Sequence, residues 1–188
     1  MRELQAEKYE AILDAAFELF GTHGFYETKI SDIAEKAGIA KGTVYLYFNS
    51  KEKLFTAVSK RDFDLFLDNL REGLRKCGSL EECLRFIAVH HLTYYYERKN
   101  RTNLFFRVPN SDPELMRSME IFLKEYNTML TEVLEKAGIP EERLHAKAYI
   151  GILNELKMDI LFNPDYSDQD LKMNIQFASR LFMRGCLK

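Results

Sequence analysis

Between residues 28 and 55 the chain reads TKISDIAEKAGIAKGTVYLYFNSKEKLF, and three positions inside this stretch restrict what it can fold into. Ala34, Gly38 and Val44 stand at relative offsets 0, +4 and +10. In a pair of short helices joined by a tight turn, a small residue on the first helix lets the second cross closely. A glycine takes the left-handed turn, and a β-branched residue plugs the crossing. Ile33 and Ile39 fill the positions beside them. The spacing predicts a supporting helix over Ser31 to Ala37, with Ile30, Ile33, Ala34 and Ala37 on one apolar stripe and Thr28 or Ser31 as its cap. A second helix is predicted from Lys41 to about Phe48, turning Val44 and Phe48 inward. Asn49-Ser50 then breaks the chain, and Ser50 caps a new helix at Lys51.

The second helix leaves Lys41, Gly42, Thr43, Tyr45, Leu46 and Tyr47 on its outer and flanking faces. A nearly charge-free outer face with two tyrosines is unusual for a solvated helix. It suits a helix lying in a major groove, where apolar atoms meet thymine methyls and hydroxyls reach phosphates. Residues 28–61 hold seven basic side chains (Lys29, Lys36, Lys41, Lys51, Lys53, Lys60, Arg61) against three acidic ones (Asp32, Glu35, Glu52), a local net of +4. The whole chain carries a net charge of −2. Attraction to a polyanion is thus expected from one surface and not from bulk charge.

Residues 24–55, GFYETKISDIAEKAGIAKGTVYLYFNSKEKLF, closely resemble the N-terminal domain of TetR-family transcriptional regulators. The likeness extends back through Ile12, Ala15, Ala16, Leu19, Phe20, Gly24 and Phe25. The resemblance implies a ligand-responsive, dimeric, DNA-binding repressor with a variable helical C-terminal domain. Position by position, it makes Thr28, Tyr45, Tyr47 and Lys51 phosphate contacts, and Lys41, Gly42, Thr43 and Leu46 the base-reading surface. Lys29 joins the DNA-binding set, although it and Leu46 occupy variable positions, so no operator sequence can be borrowed. One departure is Ala40, where the family often has serine at the start of the recognition helix. That removes a cap worth ~1 kcal/mol.

With 188 residues, 46% of them hydrophobic, the chain suits one or two small domains with a buried core. The charged N-terminus has no apolar stretch of a signal peptide, and no apolar run approaches membrane-spanning length. Three scattered cysteines (Cys77, Cys83, Cys186) read as free thiols in a reducing cytoplasm, with a redox sensor built on Cys77 and Cys83 as the alternative. A cytoplasmic protein without membrane contact is expected.

Beyond Phe55 the pattern is helical throughout: about 51–76, stopped by Gly78; 79–98, started by a Ser79–Glu82 capping box; a short 104–108; 112–136, with Pro113 in its first turn; 141–162; and 167–187. The predicted fold is all-α with about nine helices, an N-terminal three-helix helix-turn-helix domain over 1–50 and a C-terminal ligand-binding and dimerisation domain over 51–188. Phe86, His90, Tyr94, Phe105, Phe122, Tyr126 and Met129 are the candidate lining of a site for a small hydrophobic or aromatic ligand. The alternative is a packed core that happens to be aromatic. Three consecutive tyrosines, Tyr94 to Tyr96, cannot share one helix face.

The family pairs its last two helices into a four-helix bundle. By resemblance, Tyr149, Ile152, Leu153, Leu156, Ile160, Ile175, Ala178, Leu181 and Phe182 are the candidate dimer interface. The alternative is that these stripes cover their own subunit's core. A dimer would read half-sites of an inverted repeat in double-stranded DNA about 34–36 Å or a multiple apart. Catalysis is not expected. Glu142-Arg143-Leu144-His145 has the Glu-x-x-His spacing of di-iron bundles but no second copy, and no phosphate loop or nucleophile elbow occurs. No cofactor and no metal are called for. The reading is a small-molecule-released repressor; its alternative is a dimeric regulator without inducer, whose C-terminal domain serves only dimerisation or protein contact.

Overall fold

In the computed structural model, residues 2–99 and 112–186 are described. They form eight α-helices and no strand: α1 (Arg2–His23), α2 (Ile30–Lys36), α3 (Lys41–Tyr47), α4 (Lys51–Leu74), α5 (Leu80–Glu97), α6 (Pro113–Lys136), α7 (Glu142–Phe162) and α8 (Asp168–Leu181), the last widening into a π-helical turn over Phe182–Cys186. The predicted 104–108 segment, and Phe105 with it, lies outside the described residues.

Helix ends follow local chemistry. Gly38 takes φ +68°, the left-handed conformation the α2–α3 turn requires. The Ser50 hydroxyl accepts the Lys53 amide at 3.2 Å and caps α4. Ser79 accepts the Glu82 amide, but the Glu82 carboxylate returns to the Gly78 amide at 2.8 Å instead of that of Ser79, a one-residue variant of the capping box. Ser167 and Asp170 form the reciprocal box at the start of α8. Two expectations are corrected here. The N-cap position of α2 is Lys29, whose side chain makes no cap bond, and Ser31 turns to Asp32 instead. Gly78 is not left-handed; α4 ends before it by tightening, with Lys76 and Cys77 amides bonding back three residues to Gly73 and Leu74. The last helix stays helical to Cys186, widening to π geometry at Phe182, which tucks against Tyr149 with ring centroids 4.7 Å apart.

The described chain divides into two compact units. The first comprises residues 2–63 with 112–119, more than the expected 1–50. The reason is apolar: Leu54, Phe55 and Val58 of α4 and Leu115 of α6 are buried in one core with Ile12, Ala16 and Phe20 of α1, Ile33 and Ala34 of α2, and Val44 of α3. The second unit comprises 64–99 and 120–186. There α5 packs against α7 and α8. The α4–α5 crossing is close because Gly73 has no side chain: a Cβ there would stand 1.9 Å from the Phe86 ring.

Candidate nucleic-acid interface and ligand region

In the first unit, Ala34 and Val44 are buried at the α2–α3 crossing, and the Ile39 amide closes the turn onto the Ala34 carbonyl at 3.0 Å. This fixes which face of α3 is free. Lys41, Gly42, Tyr45 and Leu46 are exposed, Leu46 to 85%, and Thr43 is half-buried. A Cβ on Gly42 would meet nothing within 4 Å, so its backbone is open to close approach. Lys29 is exposed beside α2. A protruding leucine flanked by lysine and tyrosine is what base-edge and phosphate contact needs.

Three residues of the predicted DNA-binding set are used differently. Thr28 is only 2% exposed, and its hydroxyl donates to the Gly24 carbonyl at 2.7 Å and the Leu19 carbonyl at 3.1 Å. It holds the α1–α2 loop. Lys51 spends its ammonium on the carbonyls of Tyr26 (3.2 Å) and Thr28 (3.1 Å), over the Phe25 ring. Tyr47 is half-buried against Tyr9 and donates to the Gln5 carbonyl at 3.2 Å. The positive charge is likewise narrower than the composition suggests. Lys36 pairs with Glu18, Lys53 with Asp112 and Glu114, and Arg61 with Glu10 and Asp14. Lys29 and Lys41 enter no ion pair among the described residues, and they flank the exposed face of α3.

In the second unit the aromatic residues converge on Phe66 of α4, a residue the sequence analysis leaves out of the ligand set. His90, Tyr94, Phe122 and Tyr126 surround it with ring centroids between 4.5 and 5.4 Å. Phe66, Phe122 and Tyr126 are buried, so this centre is packed ring on ring. Buried His91, also missed, meets the Tyr126 hydroxyl at 3.0 Å through Nδ1, while its Nε2 has no hydrogen-bond partner. Burial, reinforced by the charges of Lys157 and His90, drives its pKa down to about 3. Burial also holds the Tyr126 phenol well above its ordinary value. Each of the three tyrosines serves a different neighbour: Tyr94 meets Phe66, Tyr95 meets His91, and Tyr96 meets Tyr166.

Open space lies beside this centre. A groove of about 950 Å³ runs between the end of α4, the start of α5 and the later part of α6. Leu74, Leu80, Ile121, Met129 and Val133 give it apolar surface, and Arg71, Arg75, Lys124 and Lys136 outnumber Glu125 and Glu132 along it. Among the described residues, Met129 is the one predicted ligand residue that lines it. Phe86 and His90 line a second, more polar groove beside α4 and α5.

The family model described as bacterial regulatory proteins, tetR family, matches residues 12–58. The fatty acid metabolism regulator protein of Bacillus subtilis is 30% identical over 158 residues, 79% of this chain and 80% of that protein. The chain belongs to the TetR family. It is a DNA-binding transcriptional regulator. Among solved structures, this TetR-family chain superposes on the transcriptional regulator FadR from Bacillus subtilis in complex with stearoyl-CoA with a TM-score of 0.77 and 26% identity, covering 94% of this chain and 98% of that one. The fatty acid degradation regulator FadR from Bacillus halodurans gives a TM-score of 0.77 at 27% identity, over 95% and 96%.

For a TetR-family protein the surface of α7 and α8 is of equal interest. Tyr149, Leu153, Ile160, Ala178 and Phe182 are fully buried within the single chain, and Tyr149 donates to the Leu84 carbonyl at 2.8 Å. They cover their own subunit's core and cannot also form an interface. Ile152, Leu156 and Ile175 are half-buried, and Leu181 is exposed. The exposed apolar side chains are Leu144, Met158 and Phe162 of α7 and Met173, Phe177 and Leu181 of α8, of which Leu181 belongs to the predicted set. Both faces of these helices are apolar, so periodicity cannot say which one turns inward. Among the described residues no three His, Cys, Asp or Glu side chains are gathered as a metal site, and no helix is long and apolar enough to cross a membrane.

Proposed function

We propose that the protein is a homodimeric repressor that leaves its operator when a long-chain acyl thioester occupies the second unit. The observation carrying this reading is the groove between α4, α5 and α6, apolar along Leu74, Ile121, Met129 and Val133 with a basic excess from Arg71, Arg75, Lys124 and Lys136. An apolar tail with an anionic head group matches that lining. The regulator of fatty acid metabolism at 30% identity and the stearoyl-CoA-bound neighbour support the same ligand class. Lys29, Lys41, Gly42, Thr43, Tyr45 and Leu46 make the DNA contact, Lys29 and Lys41 to phosphates and Leu46 to base edges. A coupling of about 1–3 kcal/mol between ligand and operator gives ~5–150-fold regulation.

The test is fluorescence anisotropy on duplex from upstream of the protein's own gene, titrated with stearoyl-CoA, coenzyme A and stearate in parallel. Stearoyl-CoA should lower DNA affinity at least fivefold, with coenzyme A inert. Activity of stearate alone would name the free acid as the effector. If no acyl probe shifts binding, the regulator without inducer is the better reading.

Dimerisation uses the exposed stripe of α7 and α8. Phe177→Glu places a charge at its middle, on a residue already 43% exposed, so the fold should survive. Sedimentation should turn a dimer into a monomer, and operator affinity should fall more than about a hundredfold because a single recognition helix reads too few base edges. An unchanged dimer would move the interface elsewhere.

A further inference from the structure

The groove lined by Phe86 and His90 has a volume of about 1050 Å³, and its chemistry differs from that of the first groove. It has no basic excess. Lys76 and Arg85 stand against Glu72, Glu81 and Glu82, and Lys76 is already paired with Glu72 at 2.7 Å. Its apolar surface is largely aromatic: the Phe86 and His90 rings lie nearly parallel, with an interplanar angle of 15° and centroids 5.8 Å apart. The His90 ring is oriented by its Nε2–H, which donates to the Phe66 carbonyl at 3.0 Å. A carbonyl only accepts, so the neutral ring keeps Nδ1 as an acceptor. Burial holds this histidine below its ordinary value and so keeps it neutral. Asn69 adds an exposed amide, donor and acceptor together. The two grooves adjoin, because Cys77 and Ser79, on the turn between α4 and α5, line both. On the first groove's side Arg75, Lys124 and Lys136 enter no ion pair among the described residues.

We propose that the second groove is a nucleoside site, and that it takes the adenosine end of an acyl-CoA whose tail and phosphates occupy the first. The link to the tail rests on the acyl-thioester reading given above; the nucleoside site does not. Such a ligand carries an apolar chain, then a diphosphate, then a purine on a ribose. The adjoining linings supply those three chemistries: apolar side chains, unpaired cations, and an aromatic surface with neutral polar atoms. A purine offers a flat π face to Phe86 and an exocyclic amine to the His90 Nδ1. Its edge presents the donor and acceptor pair that an asparagine amide reads, which is the role of Asn69. Glu81 accepts from a ribose hydroxyl, as a carboxylate does in dinucleotide sites. Arg85, which enters no ion pair among the described residues, meets the phosphate on the ribose. A free fatty acid has one charge and no base, so this arrangement selects the thioester over the acid.

Isothermal titration of the full-length protein compares three probes: stearoyl-CoA, stearoyl-pantetheine, which lacks the nucleotide, and an adenosine bisphosphate, the nucleotide end alone. Stearoyl-CoA should bind about tenfold or more tightly than stearoyl-pantetheine, the worth of one stacked base. The bisphosphate should bind by itself and compete with stearoyl-CoA. Val89→Glu sets a carboxylate in the second groove at a position already 36% exposed, so the fold should survive. It should bring stearoyl-CoA down to the affinity of stearoyl-pantetheine, leave stearoyl-pantetheine unchanged and abolish binding of the bisphosphate. Asn69→Ala, on an exposed side chain, should weaken only the two nucleotide-bearing probes, by about three- to tenfold. Equal affinity for the two acyl probes overturns the nucleoside site, as does unaltered stearoyl-CoA binding in both variants. If the bisphosphate binds and Val89→Glu removes it, yet neither acyl probe binds, the acyl-thioester reading fails while the nucleoside site stands. If no probe binds, both fail.

Discussion

Replacing Lys29 and Lys41 together by alanine should lower operator affinity by about ten- to a hundredfold near physiological salt and flatten its salt dependence, with no change in melting temperature. Both ammonium groups are exposed without an ion-pair partner among the described residues, so the fold loses nothing when they go. On duplex DNA each neutralised phosphate adds about 0.9 to the slope of log K against log salt. Two lysines on each of two copies therefore remove about three to four from the slope, whereas one bound copy would lose about two. The same titration thus counts the protomers on the operator. Lys51→Ala gives the contrast. Its ammonium ties the Tyr26 and Thr28 carbonyls to α4, so its loss should cost roughly 1–2 kcal/mol of stability, seen as a lower urea midpoint. If Lys51→Ala melts like the parent and loses as much slope as the double variant, the separation of DNA-facing from structural lysines is wrong.

That separation marks where sequence reasoning reaches its limit in the first unit. Ala34, Gly38 and Val44 were legible because their constraint is local: one crossing, one left-handed turn, one plug, all within eleven residues. Thr28 and Lys51 carry the right chemistry for phosphate contact, yet their hydrogen bonds go to carbonyls up to nine and twenty-five residues away. Nothing in a periodic pattern reports on such partners. The acids that neutralise Lys36, Lys53 and Arg61 come from α1 and the start of α6, outside the stretch over which charge was summed.

In the second unit the helices were legible and their inward faces were not. Capping residues and Pro113 mark ends by chemistry confined to one turn, and these bounds agree with the structure to within two residues among the described residues. Which apolar face turns inward depends on the partner helix. α7 buries Tyr149, Leu153 and Ile160 while exposing Leu144, Met158 and Phe162, and both sets recur at helical spacing. Adjacent histidines pose the same problem. His90 reads as the polar tip of a ligand site, but it is His91, about 100° further round α5, that enters the core.

Acidification from pH 7 to pH 5 should remove about 2 kcal/mol of stability through His91 alone. In the unfolded chain this imidazole titrates near pH 6.5; in the fold, burial holds it near 3. Between those values the unfolded state binds a proton that the folded state refuses, so stability falls as pH drops, by up to about 1.4 kcal/mol per unit. The groups around the ring explain the refusal. Phe66 of α4 and Tyr95 of α5 offer ring faces, Tyr126 of α6 offers a neutral hydroxyl, and the two charged or chargeable neighbours, Lys157 of α7 and His90, oppose a second positive charge. His90 is also held below its ordinary value by burial, so its contribution has the same sign. Carboxylates held low, such as Asp112 and Asp170, come into play only below this window. Urea unfolding at half-unit steps from pH 7 to 5 reads the slope directly. His91→Gln keeps a group able to bond the Tyr126 hydroxyl but does not titrate, so its stability should stay about 2 kcal/mol flatter over the same range. A variant that tracks the parent would show that His91 is not buried as a neutral base.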